Sequence, residues 1–282
     1  MTIFTDLISN VALLLALSIL YSFLTRIWKQ GEIPGQILAG ILFGGVAVAG
    51  MLQPFNYAPG VIFDGRSMVV SMAGLFGGPV AAAISALIAG GYRLGLGGTG
   101  ALTGFGVIFT SAALGVGYHY LRRKNPDVIK PLYLFVFGVI VHISMLLWML
   151  TLSWPLAFEV LNSISIPVML IFPLGTVLLG TLLVDQEERN YAQDALRESQ
   201  EKYSALFSNA QVALFRTRIP DGKLVQINER YAKMAGYSTV EDCMAEFNAA
   251  DAWANPNARN ELLRILKENG SVNDFETEII RR

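Results

Sequence analysis

The chain of 282 residues is 53% hydrophobic and only 15% charged, with a mean hydropathy of +0.48 and a net charge of -1. Ordinary soluble domains carry about 25% charged residues, so the composition excludes a purely soluble chain. No basic stripe suggests nucleic acid, so no nucleic-acid partner is expected, and the single cysteine, Cys243, excludes an intramolecular disulfide and a Cys-rich metal site.

The average conceals a division. Residues 1–184 hold 13 of the 43 charged side chains and 24 of the 27 glycines; the remaining 98 residues hold the other 30 charges and three glycines. A membrane part (1–184), a linking helix (185–207) and a soluble part (208–282) follow from that break. The expected fold class is an all-α polytopic membrane bundle of about seven transmembrane helices plus a small α+β domain.

Crossing about 30 Å of hydrocarbon takes roughly 17–25 apolar residues. Seven runs are candidates: 7–27, 33–52, 61–76, 80–96, 101–121, 132–152 and 156–184. The first has no Lys or Arg before it and no small-residue cleavage pattern after it, so it reads as a helix rather than a signal peptide. The third and fourth are short and are joined by Gly77-Gly78-Pro79, a tight turn of permissive glycines and a φ-locked proline. They are either two spans or one re-entrant hairpin.

Basic loops separate these readings, because Lys and Arg favour the cytoplasmic side. Arg26 and Lys29 follow the first run, and Arg122, Arg123, Lys124 and Lys130 lie between the fifth and sixth; the intervening loop 53–60 and the turn Ser153-Trp154-Pro155 carry none. Seven crossings with the N-terminus outside put both basic loops and the C-terminal half in the cytoplasm, which is the preferred arrangement for a multi-pass protein of the cell membrane.

In that orientation Asp64, Arg66 and Arg93 lie toward the outer face. Arg66 stands 12 residues before Gly78 and Arg93 stands 15 after it, which at about 1.5 Å per residue places them at nearly one depth. Two guanidiniums there can hold an anion bidentately. The alternative is structural: Asp64 pairs with one arginine and the other snorkels to the headgroups. Glu159, at the outer start of the last run, is the other acid near that height, and His142 is an intramembrane polar residue that reads as a neutral imidazole bonded to a neighbouring helix. No metal site is expected, since no second ligand stands at metal spacing.

Glycines four apart (Gly40 and Gly44, Gly74 and Gly78, Gly100 and Gly104) permit close helix approach in lipid. Gly95-Leu96-Gly97-Gly98-Thr99-Gly100 spells a dinucleotide fingerprint but lacks a strand before it and a βαβ unit around it, so it is not read as one. Pro167 and Pro173 should bend the last helix.

From Asp185 the chain turns polar and helical. Ala192, Leu196, Ser199, Tyr203 and Leu206 step by four and three, as a two-stranded seam would, so a homodimer through 185–207 is expected; a helix docking on the following domain is the alternative. The soluble part predicts strands at 212–218 and 223–227 around Pro220-Asp221-Gly222, a helix at 229–235 capped by Asn228 and ended by Gly236, a helix at 259–268 closed by Asn269-Gly270, and a strand at 272–280.

Tyr203, Leu206-Phe207, Asn209-Ala210, Asp221-Gly222, Asn228 and Met234-Ala235-Gly236-Tyr237-Ser238 make residues 197–282 resemble a PAS domain. PAS folds normally carry two further strands, so this copy is expected to be incomplete at its C-terminus. No cofactor is expected: both histidines lie in the membrane half, and Cys243 lacks the surroundings of a flavin-binding LOV cysteine. Residues 32–184 resemble the LytS/YhcK-type five-transmembrane receptor family through Asp64-Gly65-Arg66, Gly74-Leu75-Phe76-Gly77-Gly78-Pro79, Tyr92-Arg93, Gly97-Gly98, His142, Pro167 and Gly175.

That resemblance implies a bacterial or archaeal membrane sensor whose outputs are histidine kinases or GGDEF-type cyclases, with Arg66 and Arg93 contacting a small, anionic ligand, a carboxylate among the candidates. Where carboxylate-sensing relatives carry small polar or thiol side chains, Gly104 and Val107 stand here. The chain as given contains no phospho-accepting His region, ATP lid or GGDEF loop, so no enzymatic activity is expected of it. The alternative is a solute-binding or transport component, similar in its glycine-rich design to vitamin-transporter subunits.

Overall fold

The computed structural model describes residues 17–21, 32–52, 55–58, 61–219 and 221–280. The first expected span, 7–27, lies outside the described residues except for a helical stretch at 17–21, and so do Arg26 and Lys29. The chain divides into two compact units, Met1–Gln193 and Asp194–Arg282.

The order begins with α1 (Ile33–Leu52), a short antiparallel hairpin of β1 (Phe55–Ala58) and β2 (Val61–Phe63), α2 (Arg66–Leu96), α3 (Ala101–Lys124), a 3-10 turn (Pro126–Ile129), α4 (Pro131–Met149) and α5 (Trp154–Asn209), whose last residues belong to the second unit. These five helices, among the described residues, are long and apolar enough to cross a membrane.

α2 is not straight. Gly78 takes φ 82° and ψ -173° inside it, a left-handed conformation open to glycine at little cost. Neighbours on either side show that the chain reverses there. In the first arm (66–77) Gly74 lies against the α3 backbone at Gly115, and the Leu75 carbonyl is bonded by His119; in the second arm (79–96) Gly90 lies against Phe105 and Phe109, and Arg93 against Gly104. The first arm therefore runs parallel to α3 and the second antiparallel to it. The third and fourth expected spans are the two arms of one element.

One part of that expectation is corrected. The run from Val61 is a strand as far as Phe63, and helix begins only at Arg66. Asp64 accounts for the change: its Oδ1 accepts from the Arg66 backbone N–H at 2.9 Å, satisfying a donor at the start of the helix. The first arm is then about 18 Å long, short of the roughly 30 Å of hydrocarbon. Non-helical backbone at such depth is tolerated where protein surrounds it, and Asp64, Arg66 and every residue from Ser67 to Phe76 are buried.

The reversal is held by side chains from elsewhere. Pro79 has no N–H to give the Leu75 carbonyl, and His119 Nδ1–H donates to it instead at 2.9 Å. Tyr21 Oη donates to the next carbonyl, Phe76, at 3.2 Å, while its ring meets Phe43 edge-on. α1 packs along the second arm, with Gly40 against Ala81 and Ile84 and Gly44 against Ile88. Of the glycine pairs, Gly40, Gly44 and Gly74 serve close helix approach as expected; Gly104 differs, for its neighbour is the Arg93 side chain.

α4 returns antiparallel to α3, joined by Trp148 Nε1–H to Thr110 and by Thr103 to Thr151. α5 then runs antiparallel to α4: His142 stacks on Phe172, Gly138 lies against Pro173 and Thr176, and Gly180 against Leu134. Helix continues through Pro167 and Pro173. The start of α1, the end of α3 with its basic residues, the start of α4 and the polar part of α5 thus share one end of the bundle.

In the second unit β3 (Phe215–Thr217) pairs antiparallel with β4 (Leu224–Ile227), followed by α6 (Glu229–Ala235), α7 (Val240–Glu246) and α8 (Pro256–Asn269). Asn228 caps α6 and left-handed Gly236 and Gly270 end α6 and α8, as expected. The strand expected at 272–280 is reduced to a single bridge, Trp253 to Ile279, flanked by backbone bonds from Ala254 to Glu278 and from Ile280 to Ala252. α7 was not expected; Thr239 and Asp242, spaced as a capping box, start it. The unit's core gathers Leu224, Ile227, Tyr231, Ala232, Ala235 and Cys243, and burial pushes the Tyr231 hydroxyl up to about 12 and the Cys243 thiol upward.

A Cβ on Gly115 would stand 2.2 Å from the Ser71 carbonyl oxygen, whereas one on Gly117 would meet nothing within 4 Å. Backbone cannot yield as a side-chain tip can, so Gly115→Ala is expected to destabilise the purified protein by about 1–3 kcal/mol. Gly117→Ala should leave the melting temperature unchanged or slightly raised, because it relieves helix entropy; thermal unfolding in mild detergent reads both.

Candidate functional site

The first arm presents Arg66 at its first position, and Asp64 just before it folds back on it. Arg66 Nη1 donates to Asp64 Oδ2 at 3.1 Å, in addition to the bond from its backbone N–H. Asp64 is 8% and Arg66 7% exposed. Spacing alone explains this pair, since a two-residue separation lets the carboxylate accept from both the backbone N–H and the side chain of Arg66.

Arg93 comes to the same place from the last turn of the second arm. It is 2% exposed, and its Nη1 donates to the Gly97 carbonyl at 2.8 Å. Arg66 and Asp64 both act on it electrostatically, and it acts on Asp64 in turn. In a straight helix Arg66 and Arg93 would be about 40 Å apart, so the reversal at Gly78 is what unites them. The snorkelling alternative for the second arginine is not what the fold does: Arg93 points inward.

Among the described residues this cluster brings two guanidiniums and one carboxylate together. Burying like charges together is unfavourable, and a group such as a carboxylate would meet both arginines with charge-assisted bonds. Paired guanidinium donors of this kind suit a small anion.

A polar path continues from the cluster. Ser67, next to Arg66, has its Oγ 3.3 Å from His142 Nε2 and 4.0 Å from Met145 Sδ. His142 Nδ1–H donates to the Gly138 carbonyl at 2.7 Å, so Nε2 is the acceptor for the Ser67 hydroxyl. The His142 ring stacks on Phe172 of α5 with centroids 5.1 Å apart, and Gly175 of α5 lies against Met68. His142, expected to be bonded to a neighbouring helix, is so bonded, one residue removed from Arg66. Glu159 is exposed on the first turns of α5.

Sequence reasoning missed Ser67, which only its adjacency to Arg66 on a fully buried arm could have suggested. It also missed the far end of the arm, where Arg122 lies over the Phe76 ring, 5.1 Å from its centroid, and pairs with Glu187 of α5. The Glu187 side chain is only 3% exposed. The first arm thus touches α5 through His142 and Met68 near the arginines and through Arg122 at the turn.

Glu187→Gln should cost on the order of 2 kcal/mol in detergent unfolding, less than a fully buried pair because Arg122 retains 22% exposure. Adding Arg122→Met should recover part of that loss, since no guanidinium then remains beside a neutral partner. Equal additive losses would show that the two groups do not act on each other.

Two family models match the chain in succession. One, described as 5TMR of 5TMR-LYT, covers residues 19–186, and the other, a PAS domain, covers residues 201–269. No curated protein and no solved structure matches it. Matched over more than half its length, the chain belongs to the 5TMR-LYT family of membrane receptors and is a multi-pass signalling sensor with a PAS domain behind its bundle.

Proposed function

We propose that the bundle binds a small anion, a carboxylate in the first instance, between Arg66 and Arg93, and that binding biases α5 and through it the PAS domain. The observation that carries this reading is the buried arrangement of two arginines against one aspartate. An anion with two oxygens would take up guanidinium donors in planar geometry.

In this reading the end of the bundle bearing Arg122, Arg123, Lys124 and Lys130 faces the cytoplasm, because basic residues favour that side. The arginine cluster then opens to the outside and the PAS domain lies within the cell. α5 carries the bias inward as one continuous helix, and Ala192, Leu196, Ser199, Tyr203 and Leu206, all exposed in the single chain, form its seam with a second copy. In this reading the bundle and the PAS domain are input modules for a signalling output of the histidine-kinase or GGDEF-cyclase type.

The test is thermal stabilisation of the purified protein by acetate, succinate and other small carboxylates. Each arginine should contribute about 1.5–3 kcal/mol through charge-assisted bonds, so Arg66→Ala and Arg93→Ala should each weaken affinity roughly 10- to 100-fold. Arg93→Lys should restore little, since an ammonium cannot reproduce the planar fork. A panel in which no anion raises the melting temperature in an arginine-dependent way would remove the ligand site. Carboxylate flux into liposomes would replace sensing by transport.

A further inference from the structure

Arg93 is placed by two glycines rather than by a complementary acid alone. A Cβ on Gly104 would stand 2.7 Å from Arg93 Nε, 3.1 Å from its Cγ and 3.2 Å from its Cδ. The stem of Arg93 therefore lies directly on the α3 backbone, in the space a side chain at position 104 would fill. Real Cβ atoms do not approach other atoms so closely, and a planar, conjugated Nε cannot bend away without swinging the whole guanidinium. At its tip, Nη1 donates to the Gly97 carbonyl at 2.8 Å. Gly97 ends the second arm with φ 67° and ψ -154°, a conformation that only glycine adopts without strain, and that conformation directs its carbonyl back at the arginine four residues earlier.

We propose that Gly97 and Gly104 are positioning residues that set the reach and orientation of the Arg93 guanidinium, and so decide which anions the cluster accepts. The inference rests on the anion-binding reading of Arg66 and Arg93. Its content is geometric. With its stem on bare backbone and one terminal nitrogen tied to a carbonyl, Arg93 presents a fixed fork rather than a mobile charge. A fixed fork discriminates by shape: a planar two-oxygen carboxylate can meet paired donors in parallel, whereas a spherical halide senses the charge and little else. Fixing the group in advance also lowers the ordering cost of binding. A side chain at 104 would keep the positive charge in the cluster while displacing its direction, and a Cβ at 97 would turn the anchoring carbonyl away. Both changes spare the arginines themselves.

Binding of acetate and of chloride to the full chain in detergent, by calorimetry, tests this on Gly104→Ala and Gly97→Ala, with Gly91→Ala as the control. Gly91 lies on the same arm two residues before Arg93, and a Cβ there meets nothing within 4 Å. Acetate affinity should fall at least 10-fold in both test variants and stay within twofold in the control, while chloride affinity changes much less, so that selectivity collapses without loss of charge. A Cβ at Gly97 also meets nothing within 4 Å, so that variant remains informative if Gly104→Ala does not fold. Wild-type selectivity in both variants, or equal loss of acetate and chloride, would overturn the positioning role while leaving the anion site standing. A wild-type chain that binds neither ion would instead remove the anion reading on which the role depends.

Discussion

The structure depends on one reversal of the chain, at Gly78. Without it Arg66 and Arg93 would be separated by the length of a transmembrane helix; with it they share a buried cluster with Asp64. The reversal asks for a left-handed residue and leaves a carbonyl at Leu75 that Pro79 cannot satisfy. Both demands are met locally and by distant groups: Gly78 supplies the backbone, while His119 and Tyr21 take the carbonyls of Leu75 and Phe76. In lipid, where water is absent, such bonds are required for a broken helix to persist.

The first arm of that hairpin is the centre of the bundle. Every side chain from Arg66 to Phe76 is buried, α3 crosses it at Gly74 and Gly115 with backbone nearly touching backbone, and α5 reaches it at Met68. Tight cores transmit displacement rather than absorb it. Arg66 is connected through its neighbour Ser67 to His142 and the Phe172 ring, and the turn through Phe76 to Arg122 and Glu187. Both connections end on α5.

Much of this could be read from the residues. The charge and glycine division separates the two parts, Gly77-Gly78-Pro79 marks the reversal, and the spacing of Arg66 and Arg93 about it predicts their meeting. In the PAS unit Asn228, Gly236 and Gly270 fix element ends because capping is a local chemistry. What could not be read was partnership between distant segments. Helices apolar on all sides carry no face signal, so nothing in the sequence assigns His119 to Leu75, Arg122 to Glu187, or an arginine stem rather than a helix to Gly104. The strand at 61–63 was hidden because β-branched residues in an apolar run satisfy either a helix or a strand reading. The region 272–280 kept only one bridge because alternating residues specify a strand only when a neighbour is there to pair with it.

The most direct measure of the reversal is the energetic coupling of Asp64 to Arg93, taken from a double-mutant cycle of Asp64→Asn and Arg93→Gln on detergent unfolding. Groups in one buried ionic cluster should be non-additive by about 0.5–3 kcal/mol, and that is the result expected here. Additivity within about 0.5 kcal/mol would place the two residues apart, as in an unbroken helix, and would contradict the fold on which the sensing site is built.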